Sequence, residues 1–378
     1  MFKKFKLLIA ALAATVTFSG CSQSISIETK PYDEVRKEAE SYSFKGNDNI
    51  VFNCLPGQLP ADEAYILTMN KTLKNMASEE DGQKMKNALI KLFDIPTEEQ
   101  KDVEIKIREG GDAFVSYKDD FIYGSAYPGC STFLITHIGN MEVIPDYNFY
   151  TAEYSQYNYS RGGYPKEEIK MADGSGLTID KAAADADKYI STLSQCGMFD
   201  EGETVRLSRI AVNNTENGAV LILHYNQVRF GLEVDDGGAI SGEENVDMMR
   251  NPFFEVIFSG DNRPCQFRNM FSDGVMKKDK ADRLIGIAEA ENIFIGSLGG
   301  EMKATVLECA LRYCCIQRAD TENHVYRPMW CFLITEYGDG ASAFVPFPRV
   351  TVYVDAVSGD TYYCDSKQFI LEKSKADK

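Results

Sequence analysis

The sequence predicts an α+β protein: an N-terminal α+β block followed by two tandem units, each a helix laid on an antiparallel meander. Three observations predict it. An apolar stripe at helical spacing, Ile179, Ala182, Ala183, Ala186, Ile190 and Leu193, precedes strand-like runs at 204–212, 219–225 and 227–234. A second stripe, Leu284, Ile287, Ala288, Phe294 and Leu298, precedes strand patterns at 303–318, 326–337, 349–355 and 361–364. Between residues 46 and 165, helical spacing gives way to short alternating runs broken by Gly and Pro.

In the block 46–165, the spacing of Tyr65, Met69, Leu73 and Met76 predicts one helix. Met85, Leu89 and Leu92 predict a second, which Pro96 helps to end. Strands are expected at Val103–Ile107, Ala113–Tyr117, Phe121–Tyr123 and Phe133–Ile135. A tyrosine-rich stretch closes the block. Tyr154, Tyr157, Tyr159 and Tyr164 are its candidate binding residues, because exposed tyrosines give rigid contact area to a sugar or a protein. The plainer role for them is packing aromatic faces onto a neighbouring element.

The first unit is expected at 170–250. Thr178 is placed to cap its helix, the alanines let that helix lie close to a sheet, and Gly197 supplies the stop. The second unit is expected at 251–368, with Phe253–Phe258 as its leading strand. Its last two strands are joined by the tight turn 355–360, in which Gly359 takes the positive φ such turns require. Trp330, the single tryptophan, is expected to anchor this unit's core. Residues 369–378 read as a polar tail.

Residues 1–20 read as an export signal: Lys3, Lys4 and Lys6, then an apolar run from Leu7 to Phe18. That run is shorter than the roughly 20 residues a membrane span needs. Phe18, Ser19 and Gly20 then lead into Cys21, and this segment resembles the bacterial lipoprotein lipobox. Phe18 stands where the lipobox usually has Leu or another aliphatic. The resemblance implies a diacylglyceryl group on Cys21 and an extracytoplasmic protein anchored to the cell membrane by lipid. Residues 21–45 are expected to be a polar tether.

The formal charge is −17, and removing three lysines with residues 1–20 leaves −20 on 358 residues (378 less 20). Such a surface repels phosphate backbones and anionic lipid headgroups, which excludes nucleic acid as a partner. Ten cysteines include Cys21. The remaining nine are odd in number and lie mostly in apolar segments, as buried thiols do. One pair, Cys314 and Cys331, would meet as a disulfide if the turn between their strands centres near Glu322–Asn323. No Cys-x-x-Cys, His-Glu-x-x-His or Gly-x-Ser-x-Gly occurs. His137, His224 and His324 each lie alone in their segments. A Cys130 nucleophile with His137 or His224 is weighed against a buried thiol and a hydrogen-bonded imidazole, and the second is favoured. Asp173-Gly174-Ser175-Gly176 reads as a turn, and the acidic run 235–244 lacks EF-hand spacing. Neither a cofactor nor a metal is expected.

The helix Ala288-Glu289-Ala290, the strand Leu311-Arg312-Tyr313, the segment Tyr326-Arg327-Pro328-Met329-Trp330 and the ending 352–359 resemble a PepSY-type fold. More closely, they resemble the tandem domains of the extracytoplasmic YycH/YycI regulators of bacterial two-component kinases. Ala182-Ala183, Tyr225 and Gly231 fit the first unit to the same scheme less well. The likeness spans roughly residues 175–366, and the whole layout is similar to clostridial surface lipoproteins of unknown function. It implies a non-enzymatic protein that binds and regulates another envelope or membrane protein. Those regulators are usually held by a transmembrane helix, whereas this chain has a lipid site. The alternative is a cell-surface glycan-binding protein or hydrolase using the tyrosines and an acid pair, which sequence cannot select among 57 acidic residues.

Overall fold

The structure is a computed structural model. It describes residues 27–57, 59, 63–70, 78–107, 113–118, 122–127, 131–142, 154–159, 162–235, 240–241, 253–260, 263–269, 275–298, 303–317, 323–336, 349–365 and 368–373. Phe18, Ser19, Gly20, Cys21 and Cys130 lie outside the described residues. In chain order the elements are β1 (Thr29–Pro31), α1 (Tyr32–Ser41), β2 (Ile50–Phe52), β3 (Tyr65–Asn70) and α2 (Glu79–Leu92). There follow β4 (Glu104–Ile107), β5 (Ala113–Tyr117), β6 (Ile122–Tyr127), β7 (Ser131–His137), α3 (Ile138–Met141) and β8 (Tyr154–Asn158). Next are β9 (Ile169–Lys170), β10 (Gly176–Leu177), α4 (Ile179–Gln195), β11 (Glu203–Asn214), β12 (Ala219–Arg229), β13 (Leu232–Glu233) and β14 (Ile240–Ser241). Then come β15 (Phe253–Phe258), β16 (Gln266–Asn269), β17 (Val275–Lys280), β18 (Arg283–Ile285) and α5 (Ile287–Leu298). The last strands are β19 (Ala304–Gln317), β20 (Asn323–Glu336), β21 (Arg349–Asp355), β22 (Thr361–Asp365) and β23 (Gln368–Lys373). The class is α+β. Among the described residues, no helix is long and apolar enough to cross a membrane.

The chain forms two compact units, one of residues 1–68, 237–249 and 277–378, the other of 69–236 and 250–276. The second unit is built on a sheet of order β4-β5-β6-β7-β16-β15-β12-β11-β8. Helix α2 precedes the meander β4–β7, and α4 precedes the strands β11, β12, β15 and β16. The helix-plus-four-strands pattern therefore occurs twice here, and the last strands of the two copies, β7 and β16, pair antiparallel. Both helices pack against one continuous core that includes Met85, Leu89, Ile179, Leu193, Phe133, Phe254 and Phe267. All six residues of the α4 stripe are buried, and Thr178 Oγ1 accepts the Lys181 amide at 3.2 Å. Its larger members, Ile179, Ile190 and Leu193, each contribute about 1.5–3 kcal/mol by leaving water. Gly124 on β6 lets α2 approach closely, since a Cβ there would overlap the Met85 side chain.

The first unit carries the third copy of the pattern: α5, then β19-β20-β21-β22, extended by β23. Trp330 is fully buried and its Nε1 donates to the Ile285 carbonyl at 2.9 Å, so the expected anchor is in place. At the 355–360 turn, Asp355 Oδ1 accepts the amides of Val357 (2.8 Å) and Ser358 (3.2 Å), and Gly359 has φ +77°.

Several expectations are corrected. Residues 65–70 form strand β3, not a helix. Leu67 and Met69 are fully buried at a spacing of two, and β3 pairs with β17 and β20. The expected strands 219–225 and 227–234 are largely one, because Asn226 and Gln227 are accommodated within the sheet. Leu284 lies on β18, ahead of α5. Phe253–Phe258 does not lead the second expected unit. It pairs with β12, from Leu221↔Phe258 to Asn226↔Phe253. Packing therefore does not divide at 165–170 or at 250–251. Residues 29–41 of the expected tether are a strand and a helix with Tyr32, Val35 and Ala39 buried. The expected tail contributes residues 369–373 to β23.

Candidate functional site

A row of ionisable side chains lies on the face of the second unit's sheet away from α2 and α4. Strand register creates it. Arg209 stands opposite His224, His224 opposite Glu255, and Glu255 opposite Arg268, one residue from each of β11, β12, β15 and β16. An irregularity at Ser208 sets the row, because without that extra residue Ser208 would occupy the place of Arg209. Ser208 is held by its own hydroxyl, which donates to the His224 carbonyl at 3.0 Å.

Arg209 NH2 lies 2.9 Å from His224 Nε2, and His224 Nδ1 lies 3.3 Å from Glu255 Oε1. A guanidinium only donates, so Nε2 accepts and the ring proton sits on Nδ1, facing the carboxylate. Arg268 NH1 is 3.9 Å from Glu255 Oε2. Phe253 stacks on the His224 ring at 5.1 Å and lies 5.6 Å from the Arg268 guanidinium carbon. The carboxylate is buried while the Arg268 side chain is 37% exposed. His224 is therefore not alone, as its sequence surroundings suggested. Both of its ring nitrogens are engaged, leaving no free basic nitrogen for proton transfer. Two guanidiniums against one carboxylate leave the row positive in an acidic chain.

Tyr157, Tyr159 and Tyr164 are brought to the opposite face of the same sheet, and Tyr154 to its edge strand. Tyr154 and Tyr157 lie on β8, which pairs with β11. Tyr157, Tyr159 and Tyr164 pack against the main core. Tyr159 and Tyr164 stack at 5.4 Å, Tyr164 donates its hydroxyl to Asp180 Oδ1 at 2.9 Å, and the Lys166 ammonium lies 3.9 Å from the Tyr164 ring. Three of the four candidate binding residues thus pack against the core, and Tyr164 also ties down the start of α4.

His137 caps α3, its Nδ1 accepting the Asn140 amide at 3.1 Å, and burial lowers its pKa. His324 is buried in β20. The buried Arg229 guanidinium lies 3.3 Å from Glu203 Oε1 and 3.7 Å from Asp200 Oδ2. Burial raises the Glu203 pKa, and Arg229 opposes that rise. Asp173 Oδ1 accepts the Ser175 amide and hydroxyl, so the Asp173–Gly176 loop is a turn. Cys314 and Cys331 sit on paired strands with sulfurs 3.5 Å apart, in hydrogen-bond contact and clustered with Met329, Tyr353 and Tyr362. Register sets Cys314 opposite Arg327 and Cys331 opposite Ala310, not opposite each other. Burial pushes the Cys265 thiol up to about 12. Among the described residues, no group of three His, Cys, Asp or Glu side chains is placed to hold a metal ion.

The sheet's two outer strands differ. Among the described residues, β4 and β8 each pair on one side only. Strand β4 is Glu104-Ile105-Lys106-Ile107, and its Lys106 bridges Glu104 at 3.0 Å. Such charge discourages a further strand. Strand β8, Tyr154-Ser155-Gln156-Tyr157-Asn158, has neither charge nor proline.

No family model and no curated protein matches the sequence. Among solved structures, the chain is similar to an uncharacterized protein from Eubacterium rectale ATCC 33656, with a TM-score of 0.52 and 11% identity. The match covers 88% of this chain and 98% of that one. At that identity the likeness concerns the fold alone.

Proposed function

We propose that this chain is a lipid-anchored cell-envelope protein that binds and regulates another envelope or membrane protein, without catalysis of its own. The helix-plus-meander copies are PepSY-like units in this reading, and the lipobox at Cys21 supplies the anchor. The observation that carries it is the contrast between a self-occupied polar row and a strand edge that, among the described residues, is paired on one side only. Both ring nitrogens of His224 are engaged, whereas β8 offers uncharged backbone that, among the described residues, is paired on one side only, of the kind that accepts a partner's strand. Main-chain hydrogen bonds would give such a complex its affinity, and the side chains flanking the edge its selectivity.

The test is photo-crosslinking in cells from Ser155, which is exposed on β8, with Lys106 on β4 as the matched control. A discrete envelope protein captured from Ser155, and not from Lys106, is the expected result. Capture of glycan alone, or of nothing from either edge, would remove the proposal.

A further inference from the structure

The segment from Thr29 to Phe52 is not a spacer. Strand β1 pairs antiparallel with β18, with Thr29 opposite Ile285 and Pro31 opposite Arg283. Arg283 bonds the Thr29 hydroxyl and carbonyl. Helix α1 buries Tyr32, Val35 and Ala39. Its Glu38 accepts from Lys30 Nζ at 2.8 Å and from the Ala288 amide at 3.0 Å, the latter at the start of α5. Beyond the helix, the buried Glu291 carboxylate accepts from Tyr42 Oη (2.5 Å), the Lys45 amide (2.9 Å) and the Gly46 amide (2.7 Å). Strand β2 then adds in parallel to β19. The strap is fastened along its whole length to the first unit.

Its first described residue, Ile27, lies against the 355–360 turn. A Cβ on Gly359 would overlap Ile27 Cδ1 and lie 3.3 Å from Ile285 Cδ1. From Cys21 to Ile27 is six residues, which span at most about 20 Å in any conformation. A free segment through residue 45 would have reached about 80 Å. The fold itself removes three-quarters of that reach.

We infer that the strap seats the first unit at the membrane surface, with the 355–360 turn toward the headgroups, so that the partner is a membrane-embedded protein contacted close to the bilayer. This rests on the lipid-anchor reading of Cys21 and goes beyond it, because a lipid on a long tether would serve a distant wall or secreted partner equally well. Surface attraction does not do the seating: the chain's net charge repels anionic lipid. The mount is the covalent lipid and a short connection.

The molecule carries its own reporter. Trp330 is the single tryptophan, and its Nε1 bonds the carbonyl of Ile285, the residue paired with Thr29. The experiment uses full-length lipidated protein in phosphatidylcholine vesicles containing a dansyl-labelled phosphatidylethanolamine. Energy transfer from Trp330 to the dansyl headgroups is compared between the native chain and one with a Gly-Ser insertion of about 20 residues after Ser24, whose flexible span is about 25 Å. Strong transfer in the native chain, falling at least about two-fold on insertion, is expected because the added span is comparable to the native reach. Vesicle-bound native protein whose transfer matches that of the insertion chain would overturn the seating. Native protein that fails to bind vesicles, like a Cys21→Ser control, would instead overturn the lipid reading. Photo-crosslinking in cells from Ser358, exposed on the turn, tests the partner class. A membrane-embedded protein is expected, and capture of wall or secreted components alone would refute it.

Discussion

Helices α4 and α5 each open a helix-plus-meander copy, yet different parts of the chain start them. Helix α4 carries its own cap, since Thr178 immediately precedes it and accepts the Lys181 amide. Helix α5 is started by Glu38, 250 residues earlier in sequence, which accepts the Ala288 amide. The α4 copy needs no remote group to start its helix. The α5 copy is complete only after the N-terminal strap has docked, so whatever pulls on or releases the strap acts on the first unit's core.

Replacing Glu291 with Leu should break the strap's attachment most severely, because it leaves two backbone amides and a phenol facing a buried apolar group. The expected loss is about 4 kcal/mol, read from Trp330 fluorescence in urea. A loss below about 1 kcal/mol would mean that the strap contributes little. Next in size is Glu38→Ala, which removes the α5 cap and the Lys30 bridge. About 1.5 kcal/mol should be lost from the same Trp330 transition. Thr178→Ala should cost about 1 kcal/mol, seen as faster amide exchange in α4 with the Trp330 transition unmoved. If Thr178→Ala shifted Trp330 as far as Glu38→Ala does, the distinction between local and remote capping would fail.

The smallest effect is a pH dependence in the second unit. Burial holds the His137 pKa below its ordinary 6.5. Below that pH the unfolded chain takes up a proton that the fold resists, so stability falls as pH drops from 6.5 toward the folded value. His137→Asn, whose side-chain oxygen can still accept the Asn140 amide, should show a shallower acid-side loss of amide protection around α3. An unchanged acid profile would assign that loss to other groups.

What the sequence made legible follows the same division. Helix α4 was readable to within a residue or two because its stripe, cap and stop are contiguous. The meander strands β19 to β22 were readable from alternation, as was the role of Trp330. The strap is not legible because its burying partners, Glu291, Ile285 and the amide of Ala288, lie about 250 residues away, and a helix whose only apolar residues are Tyr32, Val35 and Ala39 looks like part of a linker. Tyr65–Met69 was misread because four apolar positions at helical spacing outweighed a period of two that only pairing reveals. The row Arg209, His224, Glu255 and Arg268 could not be assembled from sequence. Its members come from four strands, and the register depends on an irregularity at Ser208 with no sequence mark of its own. The helix-plus-meander copy opened by α2 is present in the sequence only as an unlabelled order of elements. Its kinship with the others emerges only when β7 is seen to pair with β16.

Hydrogen exchange across residues 32–46 of the purified native protein tests the account's central claim most directly, that the N-terminal strap is part of the folded body. The account predicts that the amides of α1 and those of Lys45 and Gly46 exchange as slowly as the amides of α5, because they open together with it. Exchange of α1 at the rate of an unstructured chain, with α5 still protected, would contradict it and return residues 21–45 to the role of a free tether.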